Sequence, residues 1–66
     1  MRVVLNGERR ELAADATVRQ AVTASGAPSE GRGVAVDSEV VPRAEWDERP
    51  LADGSRIEVL TAIQGG

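Results

Sequence analysis

The first residues of the chain alternate, with Met1, Val3 and Leu5 on one face of a strand and Val4 on the other. Asn6-Gly7 follows directly, and both residues tolerate the positive φ that a two-residue hairpin turn demands. A second strand, about Glu8 to Leu12, is therefore predicted to pair back antiparallel to the first. It is charged at most positions, as suits an exposed edge. Thr17 with Gln20 three residues later fits a capping box, in which hydroxyl and amide each satisfy an orphan backbone N–H. Val18, Ala21 and Val22 then recur at helical spacing, and Ser25-Gly26 supplies a stop, so a helix of about two turns is expected.

The stretch 27–33, with Pro28, Ser29, Gly31 and Gly33, has the composition of a surface loop. A third strand is predicted at Val34-Ala35-Val36, a turn at Asp37-Ser38-Glu39 and a short return at Val40-Val41, ended by Pro42, which has no N–H to donate. Arg43 to Trp46 reads as one helical turn, with Trp46 as a lid on the core edge. After a loop at Pro50 to Gly54, the last strand runs from Arg56 to Ala62 with Ile57 and Val59 inward. Two strands, a helix and two or three further strands make a small α+β sheet. In this order the first and last strands can lie side by side at the centre, with the one main helix packed across a face. That arrangement of a mixed sheet is the β-grasp, or ubiquitin-like, fold. Residues 1–62 form its single domain, and residues 63–66 are expected to be a flexible Gly-Gly tail.

Composition narrows what such a domain can do. The 66 residues contain no Cys and no His, which removes Cys/His zinc sites and Ser-His-Asp or Cys-His nucleophiles. No metal site is expected. The acidic residues are scattered singly between apolar positions, as on a solvated surface. The net charge is −3, and the eight basic residues, all Arg, are spread along the chain. With one aromatic residue, Trp46, and no basic cluster, a nucleic-acid partner is not expected. The apolar start is broken by Gly7 too soon for a signal peptide or membrane span, so cytoplasmic residence is expected.

The chemistry is concentrated at the end. Ile63-Gln64-Gly65-Gly66 follows a strand, and the glycines give it nothing to pack. Its reactive group is the terminal carboxylate of Gly66, ionised at neutral pH because such groups have a pKa of ~3.3–3.7. Four residues beyond Ala62 reach ~13–14 Å when extended, enough to enter another protein's active site. With Ile57 and Val59 inward, Leu60 and Ala62 point the other way, as does Val4 on the neighbouring strand. Val4, Leu60 and Ala62 are thus candidates for one apolar docking patch beside the tail.

Over essentially its whole length the chain resembles the ThiS-type sulfur carriers of thiamine biosynthesis. The resemblance lies in Asn6-Gly7, Thr17-Val18, Ala35-Val36, Val40-Val41-Pro42-Arg43 with Trp46, Asp53-Gly54 before Ile57-Glu58-Val59, and the closing Gly65-Gly66. Asp37 stands where these carriers more usually show Asn, and Gln64 where Gly or Ala is common. The resemblance implies a protein substrate that is not itself an enzyme and binds no cofactor. A ThiF-like adenylating enzyme would use ATP to activate the Gly66 carboxylate, and Gln64 and Gly65 would thread its channel. Sulfur from cysteine, mobilised by a cysteine desulfurase as a persulfide, would convert the adenylate to a thiocarboxylate. A ThiG-like thiazole synthase would take that sulfur. Three other readings share the fold: the small subunit of molybdopterin synthase, a ubiquitin-like modifier joined through Gly66, and a plain interaction domain. The molybdopterin family tends to carry aromatics in its last strand and proline before the tail, and Leu60-Thr61-Ala62-Ile63 has neither.

Overall fold

Asn6 and Gly7 both adopt positive φ, 49° and 82°, and close a tight hairpin between strand β1 (Arg2–Leu5) and strand β2 (Glu8–Glu11). The computed structural model describes residues 1–26 and 32–61. Helix α1 (Val18–Ala24) follows, then β3 (Arg32–Val36), β4 (Glu39–Val40), one turn of 3-10 helix (Arg43–Glu45) and β5 (Arg56–Thr61). The strands form one mixed sheet in the order β2-β1-β5-β3-β4. β1 and β5 run parallel at its centre, Val4 level with Arg56 and Leu5 with Ile57, and the other pairings are antiparallel. This is the β-grasp arrangement expected from the element order.

The capping-box pairing of Thr17 with Gln20 is formed, and the Thr17 N–H donates to Gln20 Oε1 at 2.8 Å. Two further N–H groups of the first turn, which an isolated helix would leave orphaned, find carbonyls in the connection before β5. Val18 N–H donates to the Arg49 carbonyl and Arg19 N–H to the Trp46 carbonyl, each at 3.0 Å. Val18, Ala21 and Val22 face the sheet and meet Val3, Leu5, Val34, Val36, Ile57 and Val59. At the far end Gly26 takes φ +77° and ends the helix where expected.

Three expectations change. β3 begins at Arg32, so Gly33 belongs to the strand, and residues 27–31 lie outside the described part of the chain. The β3–β4 turn uses Asp37 and Ser38 alone, both at positive φ, so Glu39 starts β4 and pairs with Val36. That register turns Val40 outward and Val41 inward. Trp46 is not a lid but the largest side chain of the core, 1% exposed. Its burial is tolerated because the indole Nε1–H donates to the Val41 carbonyl at 3.0 Å. The guanidinium carbons of Arg19 and Arg43 lie over its ring at 5.4 and 5.7 Å. Nearby, Arg49 bridges Glu39 of β4 and Glu45 of the 3-10 turn. The hydrogen bond and charge of Glu39, with Glu45 adding less, raise the Arg49 pKa above its ordinary value. Arg49 is therefore charged at every working pH.

Trp46→Phe is expected to keep the fold and lower stability by about 1–3 kcal/mol, because a buried carbonyl loses its donor. For a domain this small each kcal/mol moves Tm by about 4–8 °C, which thermal unfolding followed by circular dichroism will read. An unchanged Tm would show that the indole hydrogen bond contributes nothing net.

Candidate functional site

Because α1 covers one face of the sheet, the side chains that alternate with the core residues form an open face on the other side. Register fixes its rows. Leu60 of β5 stands opposite Gly33 of β3, and Glu58 stands opposite Ala35, which in turn pairs with Val40 of β4. Arg56 stands beside Val4, which pairs on its other side with Arg9 of β2. Leu60 is 55% exposed and Val40 75%, the two large apolar side chains most open to solvent among the described residues. With Ala35 and the bare backbone of Gly33 they make an apolar corner at the end of β5.

Gly33 has no conformational reason to be glycine, since its φ lies outside the left-handed region, and a Cβ built on it meets nothing within 4 Å. A glycine inside a strand weakens it and leaves room for close approach by another surface. Here the room lies directly beside Leu60.

Val4 does not join this corner. Its level on β5 is Arg56, four residues before Leu60, or about 13 Å along a strand at ~3.3 Å per residue. Arg56 and Glu58 stand between them on the same face. A depression of about 320 Å³ lined by Val4, Asn6, Arg56 and Glu58 among others occupies that polar middle. The expectation of one continuous patch holding Val4 with Leu60 fails because a parallel pair is staggered in a way that alternation alone does not specify. Val40 was missed as an outward residue for a related reason, since its orientation depends on the turn having two residues instead of three. Ala62, Gln64, Gly65 and Gly66 lie outside the described residues.

A second feature of this region is absent from any pattern reading. Beyond Leu5 the backbone of β1 turns away into the hairpin, yet β5 continues. The Val59 N–H, which faces the vacated side, donates to Asn6 Oδ1 at 2.8 Å. Asn6 thus serves both as a turn former and as the partner of a strand 53 residues away.

Among the described residues no cluster of His, Cys, Asp or Glu is placed to hold a metal ion, and no helix is long and apolar enough to cross a membrane. β2, which forms one edge of the sheet, reads Glu-Arg-Arg-Glu and is exposed throughout, a sequence that discourages strand addition.

Known proteins share this architecture and about a third of this sequence. A solved crystal structure of the thiamine biosynthesis protein ThiS from Geobacter metallireducens superposes with a TM-score of 0.85 at 28% identity, covering 100% of both chains. The sulfur carrier protein ThiS of Thermus thermophilus is 36% identical over 64 residues, 97% of this chain and 98% of that protein. A thiazole synthase of Paramagnetospirillum magneticum is 32% identical across all 66 residues, and the chain spans only 20% of its length. A sequence model of the ThiS family matches residues 3–66. This chain belongs to the ThiS family.

Proposed function

We propose that this protein is a sulfur carrier of thiamine biosynthesis whose C-terminal Gly66 bears the sulfur as a thiocarboxylate. One observation carries the choice of pathway. The same domain makes up nearly all of a protein called a sulfur carrier and a fifth of a protein called a thiazole synthase. A domain met both free and joined to its acceptor favours thiazole synthase, over molybdopterin synthase, as the destination of the sulfur.

The chemistry follows from what the chain lacks. It has no His or Cys, so partners must supply activation and sulfur. An ionised carboxylate is a poor electrophile. In the reading adopted here an adenylating enzyme of the ThiF type joins the Gly66 carboxylate to the α-phosphorus of ATP, and pyrophosphate leaves. The terminal sulfur of a persulfide, charged by a cysteine desulfurase, attacks the Gly66 carbonyl carbon and AMP departs with the bonding electrons. A thiol reductant then cleaves the S–S bond and frees the thiocarboxylate. Gly65 and Gly66 present no Cβ to the channel wall or to the attacking sulfur. Gln64 threads the channel with Gly65. Docking falls to the apolar corner of Leu60, with Val40, Ala35 and Gly33 alongside and Ala62 two residues later in sequence.

Supplied with an adenylating partner, ATP and a sulfur donor, the intact protein should gain the mass difference of one sulfur replacing one oxygen, placed on Gly66 by tandem fragmentation. One residue added after Gly66 should abolish the gain. Loaded protein should yield product with thiazole synthase and none with the large subunit of molybdopterin synthase, and the reverse result would reassign the pathway.

Leu60→Glu should melt like the parent, because the side chain is more than half exposed. Its kcat/KM for loading should fall about tenfold or more, since an unpaired charge in an apolar interface costs about 1–3 kcal/mol. Gly33→Ala should raise stability by about 0.5–1 kcal/mol and yet slow loading, because the space it fills is where the partner approaches. Normal loading by both variants would move the docking surface elsewhere.

A further inference from the structure

The parallel β1–β5 pairing is short. It begins with the Val4 N–H donating to the Ser55 carbonyl and ends with the Asn6 N–H donating to the Ile57 carbonyl, both at 2.9 Å. The carbonyls of Ser55, just before β5, and of Ile57, and the Val59 N–H all face β1, and a longer β1 would take the Val59 N–H on its own backbone. Asn6 instead turns at φ 49° and gives that N–H its side-chain oxygen at 2.8 Å. The amide therefore adds one rung to the ladder after the strand itself has left. The rung falls one residue before Leu60 and seven before Gly66. On its opposite side β5 is held by β3 as far as Arg32↔Thr61. Without Asn6, the last part of β5 would be paired on one side only.

We infer that Asn6 is a positioning residue for the C-terminal tail. By holding Val59 from the β1 side, its amide fixes the direction of β5 at Leu60 and Thr61, after which the segment bearing Gly66 begins. This inference rests on the carrier reading for its function, although the hold itself is independent of that reading. A carboxylate many residues from the docked globule reacts only in proportion to the time it spends aligned. Misplacing a reacting group by as little as 1 Å can lower a rate about a hundredfold. The choice of residue is constrained from two sides. Positive φ favours Gly, Asn or Asp, and the Val59 N–H needs an acceptor on a short side chain.

Those two demands can be separated by substitution. Asn6→Gly keeps the turn and deletes only the acceptor, and Asn6→Asp keeps both. In the full-length protein, amide exchange at Val59 should become at least tenfold faster in Asn6→Gly, relative to the amides of α1 as internal reference, and return to the parent rate in Asn6→Asp. In loading by the adenylating partner and a sulfur donor, Asn6→Gly should show kcat lowered about tenfold with KM unchanged, and Asn6→Asp should restore it. A merely structural role would lower Tm and leave kcat alone below the transition. The inference is overturned if Val59 exchange does not respond to Asn6→Gly, or if that variant loads with the parent kcat. It is overturned equally if Asn6→Asp folds yet fails to rescue. Should the parent protein itself never load sulfur, the carrier reading falls, and Val59 exchange still upholds or refutes the hold of Asn6 on β5.

Discussion

The structure depends on the parallel pairing of its first and last strands. β1 and β5 lie at the centre of the sheet, and each brings a partner outward, β2 by a hairpin and β3 by an antiparallel match over five residue pairs. The core residues Leu5 and Ile57 meet across this seam beneath α1, and both are nearly inaccessible to solvent. Closing the seam joins residues more than fifty positions apart, an entropic cost that burial of aliphatic side chains has to offset. The aliphatic core achieves this with a single indole, and that indole is fully buried because Val41 supplies its hydrogen-bond acceptor. Once β5 is in place, one face belongs to the helix and the other remains open. The terminal glycines lie four and five residues past the end of this central strand in sequence.

Much of this could be read from the chain before any coordinates. Asn6-Gly7 announces a hairpin because left-handed backbone is cheap for both residues. Thr17 and Gln20 announce a helix start because they answer each other's orphan donors. Alternation places Ile57 and Val59 inward and Leu60 outward, and the exposures agree. What escaped reading is set by strand stagger, turn length and individual hydrogen bonds, none of which periodicity specifies. The level of Val4 on β5, and hence its separation from Leu60, depends on the stagger of a parallel pair. The burial of Trp46 depends on a carbonyl whose position is set by the β3–β4 turn. The hydrogen bond from Val59 to Asn6 leaves no trace in periodicity, because in the sequence Asn6 already has a sufficient explanation as a turn residue.

The candidate site divides in the same way. Gly66 is a candidate on sequence grounds, as the terminal carboxylate of a chain without His or Cys, and it lies outside the described residues. The proposed docking surface is only half legible in the sequence. Leu60 follows from alternation, whereas Val40 and Gly33 enter only through register. Gly33 stands out as a glycine that neither its φ nor its surroundings require.

The central position of β5 also bears on how the protein is made. Until residues 56–61 have been synthesised, the sheet lacks its middle, and β1 and β3 have no common neighbour to join them. The β1–β2 hairpin and α1 are local and can form early, but neither buries its apolar face alone. At about 5–20 residues per second, a nascent chain therefore spends several seconds with Val3, Leu5, Val18 and Val22 uncovered. The charged β2 flanking β1 works against misassembly during that interval, so the edge strand protects the chain before it protects the finished domain.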